Sequence, residues 1–268
     1  MTNLGVAPVV RPPLYRRVWF QRTVTWGLLL VLWEWFGQQV GPFYFPTVGG
    51  TLDGLWSVTQ DGSLLTVGRS FGHMFAGFGL AVVIGVPVGL LMGTSRIAEW
   101  MLSPYIKALF VTSLAALLPF VILLFGTGFE FRAAVVFLFS IFYIVITPAN
   151  GVREIDRGLI EVTRSLSASR VKTFFSLVLP GSLPFIITGL RLGLGQAIQG
   201  VIIAEIWVTV GTGRKLVTLG LARELGEFFA LAAVVVLIGA ALTQLLIWAQ
   251  RRFTPWAGDV EASLKGGE

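Results

Sequence analysis

The sequence predicts an all-α, polytopic membrane protein with six transmembrane helices and both termini in the cytoplasm. Three observations lead there. First, the 268-residue chain is 55% hydrophobic and 13% charged, with a mean hydropathy of +0.81, far more apolar than an ordinary soluble domain. Second, six apolar runs approach the ~20 residues a spanning helix needs. Third, Lys and Arg are distributed unevenly over the segments between those runs.

The runs fall at 24–40, 70–93, 107–125, 132–150, 184–207 and 228–250. The first is short and carries Glu34; the second contains Pro87 and the third Pro119, which helices in a bundle tolerate. Before the first run lies a tail, 1–23, that is charged and contains Pro8, Pro12 and Pro13. It lacks the pattern of a secretory signal. The six-run body is 24–252, and a Gly- and charge-rich tail follows at 253–268; both tails are expected to be flexible. The segment 41–68 contains FPTVGGTLDGLW and predicts a short surface helix from about Thr51.

Orientation follows from the charges. With the N-terminus inside, the inner segments hold Arg11, Arg16, Arg17, Arg22, Arg96, Lys107, Arg153, Arg157, Arg164, Arg170, Lys172, Arg251, Arg252 and Lys265. The outer segments hold only Arg69, Arg132, Arg214, Lys215 and Arg223, and Arg191 lies within the fifth run. An excess of Lys and Arg marks cytoplasmic loops. The same distribution accounts for the net charge of +6 without nucleic acid. There is no cysteine, so disulfides and thiolate metal sites are excluded. The single histidine, His73, has no carboxylate neighbour in sequence and reads as a polar residue at a helix end.

The inner segment 153–180 is too structured for a plain connector. Asp156 is placed to cap a helix carrying Leu159, Val162 and Leu166. Ser167 or Ser169 is placed to cap a second, whose Val171, Phe174, Phe175 and Val178 form an apolar face. Pro180 and Pro184 are expected to end it and begin the next span. An apolar ridge with a basic rim suits either docking into a groove on a partner or lying in the membrane interface.

This segment, EVTRSLSASRVKTFFSLVLPGSLP at 161–184, resembles the "EAA" loop of bacterial ABC importer permeases. Glu161 matches the glutamate, Val162 and Thr163 stand for the alanines, Ser167 stands for the loop glycine, and Val178, Leu179 and Pro180 match the ending. RSLSASRVKTFFSLVLPGSLPFIITGLRLGLGQA is similar to the nitrate/sulfonate/taurine/bicarbonate branch, as are LWEWF at 32–36, GFGLAVVIGVPVGLLMGTSR at 77–96 and LLPFVILLFGTG at 117–128. The resemblance covers roughly 28–252. Two departures stand out: the serine at 167, and FVTSLAALLP at 110–119, which lacks prolines that this branch often carries.

The resemblance implies a MetI-like type I importer permease fold in a bacterial inner membrane. It implies an ABC ATPase subunit in two copies, a second permease copy forming a homodimer, and an extracytoplasmic substrate-binding protein, which 41–68 would face. ATP would be bound by the ATPase, with no cofactor in this chain. Glu161, Arg164, Ser165, Leu166, Ser167 and Ala168 would carry the coupling. The implied substrate is a small anion of the sulfonate, taurine, nitrate or bicarbonate type.

Polar residues within the runs are the candidates for the translocation path: Arg191, Gln196, Gln199 and Glu205. A charge at membrane depth must face water or a partner, though Arg191 also reads as an interfacial arginine reaching back to headgroups. Glu205 reads equally as a path residue and as a helix-contact cap. Gly85, Gly89 and Gly93, like Gly68 with Gly72 and Gly189 with Gly193, are spaced for close helix packing.

The stretch GTGRKL at 211–216 is the nearest approach to a phosphate loop, but it lacks the GxxxxGK[ST] spacing and is expected to form a turn in the outer gate. Two other function classes fit the sequence less well. An ATP-independent channel or secondary transporter needs no docking loop. An intramembrane enzyme needs a nucleophile with its base, or clustered ligands, which one histidine and no cysteine do not supply.

Overall fold

A computed structural model describes residues 18–253; the expected tails lie largely outside them. The chain is helical throughout the described residues: α1 Val18–Val40, α2 Val48–Gln60, α3 Ser63–Thr94, α4 Arg96–Val111, α5 Leu114–Phe125, α6 Phe129–Arg153, α7 Arg157–Ser165, α8 Arg170–Thr173, a π-helical turn Phe174–Val178, α9 Leu179–Trp207, α10 Gly211–Ala222 and α11 Leu225–Phe253. It forms two compact units. One comprises residues up to Gln60 with Leu219–Leu231; the other comprises Asp61–Thr218 with the residues from Ala232 onward.

In the larger unit α6 packs against both α3 and α9, and glycines make this possible. On α3, a Cβ at Gly77 would come within 2.4 Å of the Ala133 carbonyl oxygen, one at Gly89 within 2.5 Å of the Val145 carbonyl oxygen, and one at Gly93 within 2.5 Å of the Val152 Cβ. Ala81 and Gly85 complete the four-residue ridge and are buried. On α9, Gly193 lies against Ile144 and Gly200 against Phe139. The packing role expected for these glycines is observed. Gly68 and Gly72 differ: among the described residues nothing lies within 4 Å of a Cβ at either.

Among the described residues four helices are long and apolar enough to cross a membrane: Ser63–Thr94, Phe129–Arg153, the continuous Arg170–Trp207, and Leu225–Arg252. The third run is broken. α4 and α5 meet at 104°, with Thr112 and Ser113 both extended at the joint. The break does not fall at Pro104 or Pro119, which stay inside their helices. The Thr112 hydroxyl donates to the Ala108 carbonyl (2.9 Å), a local bond by which Ser and Thr compete with helical pairing. α1 reaches 23 residues but is diluted by Gln21, Arg22, Glu34, Gln38 and Gln39.

The smaller unit is built on aromatic packing. Trp33, Phe45 and Phe229 meet with ring centroids 5.4–6.0 Å apart, and the Trp33 indole N–H donates to the Pro46 carbonyl (2.9 Å). Glu34 has a structural job here: its Oε2 accepts the Val48 N–H (2.8 Å), capping α2, while Oε1 accepts from Gln38 (2.9 Å).

Gly89→Ala is expected to lower stability by about 1–3 kcal/mol through overpacking against α6. Gly79→Ala, where nothing lies within 4 Å of the new Cβ, should be neutral or slightly stabilising. Thermal unfolding of the detergent-purified variants makes the comparison.

Candidate coupling and translocation site

The coupling segment folds as two capped helices. The Asp156 carboxylate accepts the Gly158 N–H (2.8 Å) and opens α7. Leu159, Val162 and Leu166 stand on its outward side, with Leu166 76% exposed. α7 ends in a Schellman-type turn: the Ala168 N–H donates to the Thr163 carbonyl (3.0 Å), and Ser167 between them takes φ +56°. The left-handed conformation is the one glycine adopts most readily, so Ser167 keeps the turn that a glycine would form. Ser169 then caps the next helix by accepting the Lys172 N–H (3.3 Å).

Pro180 and Pro184 do not end that helix. Arg170–Trp207 runs on as one 38-residue element. A proline ring clashes with the carbonyl four residues earlier; ahead of Pro180 the chain widens into the π turn Phe174–Val178, where the Leu179 N–H donates to the Phe174 carbonyl. Val171 and Phe175 remain exposed, extending the apolar ridge of α7. Of the six expected coupling residues, Glu161, Ser165, Leu166 and Ser167 are exposed and Ala168 is partly covered; the Arg164 side chain lies outside those described.

The path candidates separate. Arg191 is half-buried on α9, and because the helix begins at Arg170 it lies 21 positions in, about 31 Å along the axis. It has no ion pair among the described residues. Gly195 and Gln199 follow it at i+4 and i+8 and are exposed, so the three share one open face. Gln196 instead lines a cleft of about 280 Å³ at the α4–α5 break, with Phe110, Thr112 and Tyr143.

Glu205 is 0% exposed. Its Oε2 accepts the Gly213 N–H (3.0 Å), so it caps α10 from the neighbouring helix. Gly211 and Gly213 leave the room: a Cβ at Gly211 would sit 2.4 Å from the carboxylate carbon. GTGRKL is thus the first turn and a half of a helix, rather than a turn. Buried hydroxyls of Ser70 and Thr212 bond at 2.9 Å. Lys215 pairs with Asp61 and Ser63 at the start of α3. Burial pushes the Asp61 carboxyl up, but hydrogen bonds from Lys215 and Ser63 outweigh it and hold the carboxyl below its usual 3.8. Sequence reasoning missed this anchoring of α10; the eight-residue spacing from Glu205 to Gly213 was its one visible trace. His73 is also not at a helix end. Because α3 starts at Ser63, His73 lies in the helix body with its ring 5.3 Å from Phe129.

Comparison with known proteins identifies the chain. Residues 85–258 match the family model of the binding-protein-dependent transport system inner membrane component.

The chain belongs to that family.

It is 30% identical to the taurine transport system permease protein TauC of Escherichia coli, covering 94% of each chain. It is 32% identical to a probable ABC transporter permease protein of Brucella melitensis, covering 82% of this chain and 94% of that one. The putative aliphatic sulfonates transport permease protein SsuC of Escherichia coli is 32% identical over 70% of this chain and 73% of its own. A solved amino acid ABC transporter shares the fold at a TM-score of 0.58 and 21% identity, covering 74% of this chain and 98% of that one. This binding-protein-dependent permease is therefore the membrane-spanning subunit of an ABC importer, a multi-pass membrane protein whose family works with an ATPase and a substrate-binding protein.

Glu205→Ala is expected to destabilise the permease by about 1–2 kcal/mol, by leaving the Gly213 N–H without its acceptor. Glu205→Gln, which retains an acceptor oxygen, should recover much of the loss in a thermal melt. For Asp61, the folded carboxyl is more acidic than the unfolded one. Its stabilising contribution is therefore complete above about pH 4 and is lost as pH falls through the folded value. The wild type should lose up to about 1 kcal/mol of stability over that interval, and Asp61→Asn should remove the loss; melts at neutral pH and pH 3 check this.

Proposed function

We propose that the permease spans the membrane six times, with α1 and the bent pair α4–α5 among the spans, and keeps both termini in the cytoplasm. It works as a homodimer between two copies of an ABC ATPase, and a substrate-binding protein delivers a small anion of the taurine, sulfonate or bicarbonate class. ATP binds the ATPase, and this chain carries no catalytic site of its own.

One observation carries the coupling role. The α7–Ser167–Ser169 module is fully formed yet leaves Leu159, Val162, Leu166, Val171 and Phe175 uncovered. These residues are too apolar to leave in water, and helix-in-groove docking covers such a ridge. Glu161, Arg164 and Ser165 supply a polar rim, and the small Ser167 and Ala168 allow close approach at the bend. The positive-inside distribution of Lys and Arg supports placing this module in the cytoplasm.

The substrate class rests on the relatives and on charge. Arg191, Gly195 and Gln199 share an uncovered face of α9, and a cation at membrane depth costs about 2.5–3.5 kcal/mol on insertion unless it meets water or a partner. Lining the path of an anion meets that need, and Gln196 is placed to contribute at the α4–α5 break. Glu205, committed to α10, sits at the outer end of the same helix and would hold the outer gate closed.

Co-purification with a candidate ABC ATPase tests the docking. The wild type should hold the ATPase, and Glu161→Lys should weaken the complex at least about tenfold while the permease itself remains folded. An undiminished complex in the variant would remove α7 from the interface.

A further inference from the structure

Behind the coupling module lies a cleft of about 1,050 Å³, which of the proposed coupling residues only Ala168 lines. Arg96, Arg153 and Arg170 line it. Only Arg153 is paired, with Glu99 at 3.0 Å; Arg96 and Arg170 have no ion pair among the described residues. Two helix N-termini open onto the same space, since Arg96 is the first residue of α4 and Arg170 the first of the 38-residue helix to Trp207. Ser95 and Ser169 cap one N–H at each end, and the first N–H groups and the positive dipole end remain. The cleft therefore joins two unpaired guanidinium groups with two helix ends of the same sign. That arrangement is held together best by an anion with several acceptor oxygens, which arginine meets bidentately.

The other walls are apolar. Val152, Ile155, Phe174 and Val178 line the cleft beside the arginines. It sits where α3 ends at Gly93 and Thr94, where α6 ends at Arg153 and where the next spanning helix begins. Three apolar spans change to polar chain at this level, which is where phospholipid headgroups lie. The exposed ridge residues Leu159, Val162 and Leu166 do not line the cleft; from α7 and the turn after it, Ile160 and Ala168 do. An occupant here would leave the ridge free.

We propose that this cleft is a phosphoryl-group site, with Arg96 and Arg170 as its principal ligands, filled by the headgroup of an anionic phospholipid whose acyl chains run along the apolar wall. A soluble phosphate compound would use the same arginines, and the test separates the two. Full-length protein is purified in mild detergent and titrated with phosphatidylglycerol or phosphatidylcholine, with bound lipid read by native mass spectrometry. In parallel, thermal unfolding is followed with added inorganic phosphate. The wild type should retain phosphatidylglycerol over phosphatidylcholine. Arg96→Gln and Arg170→Gln should each reduce that retention roughly fivefold, and Arg170→Lys should reduce it less. Arg214→Gln, on α10 and remote from the cleft, should leave it unchanged. A phosphate-induced rise in melting temperature that both Gln variants abolish, without lipid selectivity, would keep the site and assign it to a soluble phosphate. Equal retention of both lipids with no phosphate effect, or retention that neither Gln variant alters, would overturn the proposal. Two separate arginines, each checked for monodispersity by gel filtration, keep the outcome readable if one variant misfolds.

Discussion

The larger unit depends on backbone-to-backbone approach of α6 to two partners. Within a membrane the hydrophobic effect does not drive helices together, because lipid tails are as apolar as leucine. Close van der Waals contact has to do it, and contact needs small residues in register. α3 provides Gly77, Ala81, Gly85, Gly89 and Gly93, one per turn along one face, and α9 provides Gly189, Gly193, Ala197, Gly200 and Ala204. α6 carries the large complements, with Val136, Ile144, Val145 and Val152 buried between them. Large side chains on the middle helix and small ones on both outer helices produce two tight seams from one repeated pattern.

That core holds a long helix in a fixed place, and the residues proposed for coupling and for the path are distributed along it. Arg170–Trp207 is about 57 Å long at 1.5 Å per residue. Its first turn is capped by Ser169 inside the coupling module. Its middle carries Arg191 and Gln199, and its last turns carry Glu205, which holds α10 by the Gly213 N–H. A displacement at the coupling end can therefore reach the α10 cap through one continuous element. The π turn at Phe174–Val178 is what keeps the element continuous across Pro180. Three left-handed residues that are not glycine, Ser167, Thr209 and Arg223, lie at the ends of helices here. The first two flank the long helix. Each costs about 1–2 kcal/mol relative to ordinary backbone, offset by the 6→1 bonds from Ala168 to Thr163 and from Val210 to Glu205 (both 3.0 Å).

Much of this was legible in the sequence because its causes are local and periodic. Apolar runs, small-residue spacing and caps at Asp156 and Ser169 each act within a few residues. The departures came from interactions that no short window contains. Pro180 looked like a stop because the ring removes one bond; it does not show that a widened turn ahead of it can absorb the clash. The 104° break between α4 and α5 falls at Thr112–Ser113, a pair no more polar than others inside spans, so nothing local marks it. Glu205 was ambiguous because its partner is a backbone N–H, and backbone groups carry no sequence signature. Arg96 and Arg170 were counted only as inner charges, since 74 residues separate them in a cleft that only the fold assembles.

The face of Arg191, Gly195 and Gln199 is the stripe of α9 that the described residues leave uncovered. The rest of α9 is covered where it is small: Gly189, Gly193 and Gly200 each meet α6. Gly195 meets nothing within 4 Å. A glycine in the middle of a helix gives up about 1 kcal/mol relative to alanine, and here no neighbour in the same chain accounts for it. A guanidinium and an amide on the same uncovered stripe are costly against lipid. Water along a path, or a second copy bringing its own equivalent face, satisfies all three residues at once. The polar side chains gain partners and the glycine leaves space between the two faces. The stripe that looks most out of place on the isolated chain is thus the one that the proposed path or a proposed second copy would cover.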